Sequence, residues 1–504
     1  MEEKESTGQL DMTRAPSAPV SDSNSSSRTE GEVDQQRGDA YVDVENGYRA
    51  PNDYLVTRRA TSSTTAAHEQ QRQQEQQYAR PRGPERYHSH MEPLYEDQGP
   101  QYNSESLARI ISAARHSIGT RGKIGIRDRI CCFQWTWFTM TMATGGIANV
   151  LFSVNQAYPA AKWVWYIGLV FFLLNVALFL MNCILITMRF VMVPGSFMHS
   201  FMDQLESLFI PSVVVSIGTI LINITQYGIP NTGPWLQHLM GALFWVYLAI
   251  SVSASAGMYL ILWSTQVFPI QTMTPVWVFP AYPLLLTAPF ASNLVQADRT
   301  VHPGSDIQID RLSIAITAVT VQGTGFLISF MICAAFLYRL MTQKLPRDMQ
   351  RPGVFISIGP PAFTVAGLVL LGQQAKDVLP SDYTGQNHAV FILEIISLLI
   401  GLWLWGLSEW FFLVSVGSLW KYTRHNHKMP FQMTWWSFVF PNTALVTATL
   451  ALAKALDTSG MRVYGCVMAA ALVVVWLLVA GNMIRCLWNR HLLWPVDLEK
   501  ERMG

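Results

Sequence analysis

Charge is what this sequence has least of: charged residues make up 14% of it, against 50% hydrophobic. A soluble globular surface needs about twice that share, so the chain falls in the membrane class. The few charges nearly cancel, at +1 with a pI near 7.7, which leaves no basic field to hold nucleic acid. Cysteine is sparse as well. Cys131, Cys132, Cys183, Cys333, Cys466 and Cys486 form no C-x-x-C or Cys/His spacing, so neither a zinc site nor a disulfide framework is expected. The H-E-x-x-H and G-x-S-x-G patterns are missing, and with them the usual signatures of a membrane-embedded hydrolase; no metal, cofactor or catalytic residue is assigned. No basic, briefly apolar leader opens the chain, so the first span is expected to direct insertion.

What the chain does have is long apolar runs, all after residue 135. A hydrocarbon core of ~30 Å takes roughly 20 such residues to cross. Ten stretches qualify, at 137–154, 163–188, 208–227, 239–263, 277–295, 312–340, 354–371, 389–419, 435–456 and 463–488. Ahead of them, residues 1–103 are Ser-rich around Ser21 to Ser27 and Gln-rich from Gln70 to Gln77, a composition that reads as a disordered tail. Residues 104–134 form a juxtamembrane segment. Leu107, Ile110, Ile111, Ala114 and Ile118 there share one helical face, and the basic residues Arg121, Lys123, Arg127 and Arg129 follow. The transporter-like domain is 135–488, and 489–504 is a short C-terminal tail. Placing the N-terminus inside puts seventeen Lys and Arg on inner segments against five outside, so both termini are expected in the cytosol.

Proline alternates along the ten spans. The third has Pro211, the fifth Pro280, Pro283 and Pro289, the seventh Pro360 and Pro361, the ninth Pro441, and the first carries Gly145-Gly146 instead. Even-numbered spans have no proline inside. A mid-helix proline bends the helix and frees a carbonyl that lipid will not satisfy, so the kinked odd spans belong inside, around a cavity, with the even ones outside. The odd spans also carry small polar residues at helical spacing. Gly146, Asn149 and Ser153 share a face, as do Ser212, Ser216, Thr219 and Asn223, and Phe440, Thr443, Thr447, Ala451 and Lys454. Such residues solvate an anion without a fixed charge to trap it. They also make interhelical hydrogen bonds, and for any single Ser or Thr that reading is the stronger one.

Four motifs in order carry a family resemblance. They are Phe133-Gln134-Trp135-Thr136-Trp137-Phe138 with Met142-Ala143-Thr144-Gly145-Gly146; Pro275-Val276-Trp277; Arg351-Pro352-Gly353 through Gly359-Pro360-Pro361-Ala362-Phe363; and Phe438-Val439-Phe440-Pro441-Asn442. Together they resemble the fungal malic acid transport proteins, the four-carbon dicarboxylate branch of the tellurite-resistance/dicarboxylate transporter family, related to plant slow anion channels. The resemblance implies an all-α membrane fold of ten helices, paired as five hairpins in quasi-five-fold order around a central pore. It also implies a phenylalanine plug, which falls on Phe440 with Phe438 as the lesser candidate, and a homotrimer. The implied substrates are malate, succinate and fumarate at the plasma membrane. The runner-up is a relative for another anion, such as sulfite efflux, and the Thr144-Gly145-Gly146 step favours the dicarboxylate branch.

The expected lumen lining is therefore Thr144, Gly145, Gly146, Asn149, Ser212, Ser216, Thr219, Pro283, Pro360, Pro361, Thr443, Thr447 and Lys454, with Lys454 near the outer mouth. Glu394 and Glu409 are acids within the eighth span, where a solvated or hydrogen-bonded state is the simpler expectation. In the tail, Arg58-Arg59-Ala60-Thr61-Ser62 fits a basic-directed kinase pattern, with Thr61 or Ser62 as acceptor, and Cys131 and Cys132 stand where a palmitoyl chain could anchor.

Overall fold

A computed structural model describes residues 125–300, 309–380, 385–423 and 429–493. The N-terminal tail with Thr61 and Ser62, the amphipathic stretch 104–118 and the last residues of the C-terminal tail lie outside these. Ten helices among the described residues are long and apolar enough to cross a membrane. They are α1 (Trp135–Ala157), α2 (Lys162–Met192), α3 (Glu206–Asn231), α4 (Pro234–Thr265), α5 (Pro275–Asp298), α6 (Arg311–Gln343), α7 (Asp348–Gln373), α8 (His388–Ser418), α9 (Met433–Ala455) and α10 (Ser459–Trp488).

Burial alternates as the prolines do. In the most apolar stretch of each odd helix 72–94% of the residues are buried, and in each even helix 6–33%. The odd helices pack in a closed ring in which α1 meets α3, α3 meets α5, α5 meets α7, α7 meets α9 and α9 returns to α1. Each even helix lies outside, against its own hairpin partner and one further odd helix. Large apolar side chains such as Leu173, Trp263, Met331, Trp403 and Leu478 project from the even helices away from the protein. In lipid that exposure is favourable, so it needs no partner.

Pro211, Pro360, Pro361 and Pro441 do not break α-helices; they begin them. Four odd helices open with a 3₁₀ segment, at Trp135–Trp137, Pro275–Leu286, Asp348–Ile358 and Met433–Phe438, before an α-helical portion takes over. Pro211 is the N-cap of the α-portion Ser212–Asn223, Pro360 and Pro361 lie in the first turn of Gly359–Gln373, and Pro441 in that of Phe440–Ala455. A first-turn nitrogen has no carbonyl to bond to, so proline there forfeits nothing. Pro280 and Pro283 sit inside the 3₁₀ run of α5, three apart and on one side of it. These 3₁₀ openings also carry α5, α7 and α9 a few residues beyond the apolar runs visible in the sequence.

Gly145-Gly146 has a different role from the prolines. The α-helix Phe138–Ala157 runs through both without interruption. A Cβ added at Gly146 would stand 2.6 Å from the Thr443 hydroxyl oxygen, so the missing side chain lets α1 and α9 touch and the ring close.

Ion pairs tie the helix ends. At the N-terminal end of the odd helices, the Arg189 guanidinium forks onto Glu206, with Nη2 to Oε2 at 3.0 Å, and the Trp135 N–H donates to the same carboxylate at 3.4 Å. One buried acid thus joins α1, α2 and α3. At the opposite end, Asp298 of α5 receives Gln237 of α4 and Arg311 of α6. Replacing Glu206 by Gln would leave Arg189 buried with no counter-charge, a loss of about 3–5 kcal/mol. Thermal unfolding of the purified protein in detergent checks this: Glu206→Gln is expected to melt well below wild type, and the double change Glu206→Gln with Arg189→Met to regain most of the difference.

Candidate functional site

The α-portion of α9 begins at Phe440, and Pro441 in its first turn fixes how the chain enters the helix. The Phe440 side chain is buried. Its ring centroid lies 5.3 Å from Phe363 of α7 and 5.8 Å from Tyr282 of α5. Helices α5 and α9 are not neighbours in the ring, so a contact between their side chains crosses its interior. Tyr282 is held in turn by its hydroxyl, which donates to the Ile356 carbonyl at 2.6 Å. It fits beside α7 because Gly359 has no Cβ; one built there would be 2.3 Å from the hydroxyl. Phe279 and Phe209 continue the aromatic set toward α3. Phe438, by contrast, is half-buried and stacks edge-on against Phe355 at 5.0 Å.

Most of the small polar residues read from the sequence lie in helix seams. The Ser216 hydroxyl is 2.7 Å from that of Thr141, and Ser212 reaches the Trp135 carbonyl at 3.3 Å, both across the α1–α3 seam. Thr219 faces Gly145 there, and Thr443 faces Gly146 in the α1–α9 seam. Thr144 accepts from the indole of Trp476 on α10 at 3.2 Å. The Pro283 carbonyl accepts from Tyr247 of α4 at 2.9 Å, and that of Pro360 from Thr364 at 2.8 Å. Pro361 is buried at the start of the α-portion of α7. Thr447 lies two turns beyond Phe440 and donates to the Thr443 carbonyl at 2.8 Å.

Asn149 belongs to a different cluster. Gln226 of α3 donates from Nε2 to Asn149 Oδ1 at 2.6 Å and to Asn293 Oδ1 of α5 at 2.9 Å. Three carboxamides from three consecutive inner helices therefore meet. Every residue of α1 from Trp135 to Ala148 is buried, and Asn149 is the first that is not; Asn293 holds the same place in α5 after a buried run from Val278. Since Gly146 abuts Thr443, the cluster lies about two turns, roughly 9 Å, beyond the Phe440 ring toward the C-terminal ends of the odd helices.

The charged residues stand apart from both clusters. Lys454 is exposed and lines a groove of about 490 Å³ between α7, α8 and α9 with Gln373, Phe391, Glu394 and Ser397. Glu409 accepts from the Tyr464 hydroxyl of α10 at 3.2 Å, so this acid is hydrogen-bonded. Near the start of α1, burial pushes the Cys132 thiol up to about 11 and Cys131 in the same direction. Neither offers much thiolate at neutral pH.

Tyr282, Phe363, Gln226 and Asn293 were missed by sequence reasoning. Phe363 ends the Gly-Pro-Pro-Ala-Phe motif, and Tyr282 stands between Pro280 and Pro283, so both are masked by neighbouring prolines. Gln226 follows Asn223 by three residues and so extends the polar stripe of α3. Asn293 gave no signal beyond being an amide within a span.

Comparison with known proteins agrees with this architecture. The malic acid transport protein of Schizosaccharomyces pombe is 26% identical over 372 residues, covering 74% of this chain and 82% of that one. A sulfite efflux pump of Trichophyton rubrum is 26% identical over 352 residues, 69% of this chain and 88% of the pump. An uncharacterized transporter of Methanocaldococcus jannaschii is 24% identical over 326 residues, 63% and 84% of the two chains. The sequence profile of the voltage-dependent anion channel family matches residues 132–484, from just before α1 into α10. A match over the whole ring and its outer helices makes this chain a multi-pass membrane protein of the voltage-dependent anion channel family.

Proposed function

We propose that the chain moves four-carbon dicarboxylates, malate foremost with succinate and fumarate, across the plasma membrane through the axis of the ring, with both termini cytosolic. Phe440 is the plug. The observation that carries this reading is the meeting of Phe440 with Tyr282 and Phe363 inside a ring of five buried helices. Between their charged ends the polar side chains of the inner helices are neutral amides and hydroxyls, set among aromatics and aliphatics, and such a lining lowers the cost of desolvating an anion without holding it fast. Malate is chosen over other anions on the likeness to the yeast malic acid transport protein. Sulfite is the second reading, because sulfite efflux pumps match over a similar stretch at similar identity.

Labelled malate uptake into proteoliposomes, with succinate, sulfite and chloride as competitors, tests the substrate. Sulfite displacing malate at much lower concentration than succinate would move the assignment to the second reading. Phe440→Ala is expected to raise malate flux by about tenfold, equal to about 1.4 kcal/mol off the barrier. Phe438→Ala is the control and is expected to leave flux near wild type. A rise with Phe438→Ala alone would mean that the plug is the other ring.

Lys454 stands where a cation attracts dianions toward the C-terminal ends of the odd helices. Lys454→Gln is expected to raise the KM for malate about threefold at low salt and much less above about 0.15 M, where screening shortens the field to about 8 Å. An equal change for mono- and dianions at every salt concentration would make Lys454 only an anchor at the helix end.

The N-terminal tail is proposed as the regulatory element, through a kinase acting on Thr61 or Ser62. A phosphate there adds about −1.5 to −2 charges, which the basic residues Arg121, Lys123, Arg127 and Arg129 downstream would attract. Deletion of residues 2–100, and separately Thr61→Ala with Ser62→Ala, is expected to change surface abundance or malate flux under kinase activation. Identical behaviour of wild type and both variants would leave the tail without this role.

A further inference from the structure

The three carboxamides beyond the plug have a fixed polarity. A backbone carbonyl only accepts, and the Pro289 carbonyl is 2.7 Å from the Asn293 side-chain amide, which must therefore present Nδ2 to it. Asn293 then turns Oδ1 toward Gln226, so Gln226 must face it with Nε2, and the same Nε2 fixes Asn149 with Oδ1 inward. Two consequences follow. The Nδ2 of Asn149 has no acceptor among the described residues, on a side chain that is only half-buried. Gln226 Oε1 is buried and receives no donor there.

The backbone singles out the same place. Gln226 lies in a π-helical turn, Ile224–Gly228, that ends the α-portion of α3. Such turns carry an extra residue, re-aim the side chains on them, and recur at functional sites. This one is pinned by Tyr227, whose hydroxyl donates to the Ala148 carbonyl at 2.7 Å, one residue before Asn149. A buried acceptor left without a donor is costly unless a water or a ligand supplies one, and beside the half-buried Asn149 and Asn293 a passing ligand can do so.

We infer that Asn149, Gln226 and Asn293 form a recognition girdle for a hydroxy-carboxylate, with the carboxylate accepting from Asn149 Nδ2 and the neighbouring hydroxyl donating to Gln226 Oε1. The inference rests on the reading that carboxylates pass along the axis, and it narrows that reading: malate carries the hydroxyl and succinate does not. A halide offers an acceptor and no donor, so it leaves Gln226 Oε1 unsatisfied. The girdle therefore ranks anions by hydrogen-bonding pattern while keeping the path free of charge.

The test is parallel malate and succinate uptake by the purified full chain in proteoliposomes. Wild type is expected to favour malate. Gln226→Met keeps the volume and removes the acceptor together with the Nε2 donor that orients Asn149 and Asn293, and is expected to lower the malate-to-succinate ratio by about five- to tenfold. Asn149→Asp is nearly isosteric and keeps the oxygen that Gln226 bonds, but replaces the donors with negative charge; it is expected to cut both fluxes by about tenfold or more. A wild type that moves neither anion overturns the dicarboxylate reading, and the girdle with it. A wild type that moves both equally, or a monodisperse Gln226→Met that keeps the wild-type ratio, overturns the girdle alone. Should Gln226→Met fail to insert, wild-type flux through Asn149→Asp does the same.

Discussion

The ring closes at one seam. Where α9 returns to α1, Thr443 occupies the space that Gly146 leaves by having no side chain, and the two backbones approach as they would not with any larger residue. Lipid gives apolar helices little reason to associate, so packing at small residues is what holds them together. Once α9 is drawn against α1, Phe440 three residues earlier is carried into the interior, where it reaches Tyr282 on a helix that is not its neighbour. The even helices follow from the same closure. With the odd helices buried against one another, the even ones are left to meet the lipid, and their apolar surfaces suit it.

In the inner helices charge is kept at the ends and polarity in the middle. Arg189 with Glu206, and Arg311 with Asp298, fasten opposite ends of the helices. Between those levels most buried hydroxyls return to a carbonyl of their own helix or reach the next one. An anion crossing such an interior would meet aromatic edges, a few hydroxyls and the three amides, none able to hold it by full charge. A fixed cation at mid-depth would bind it too well to release it.

The amide cluster and the aromatic cluster lie about two turns apart on the same helices, and a different local device positions each. A 3₁₀ segment ending in a proline turn presents Phe440, and a π-turn presents Gln226. A regular α-helix offers its side chains at fixed angles. Tightening or loosening one turn is how these inner helices direct a side chain that a uniform helix would leave in a seam.

The sequence by itself determined the ten spans, the alternation of inner and outer helices and the family. Each follows from a property of the chain read locally, whether an apolar run long enough for a bilayer, a proline that lipid disfavours, or a motif. It did not determine what the polar residues do. On a helix buried on all sides, a Ser or Thr in a seam and one beside a cavity have the same neighbours in sequence and the same helical period. Only packing assigned Ser212, Ser216 and Thr219 to the α1–α3 seam and turned the prolines from kinks into helix starts. The meeting of Asn149 with Gln226 and Asn293, each roughly 70 residues from the next, was likewise settled by the tertiary structure alone, because it depends on how far each helix is rotated about its own axis and where it stands along the ring.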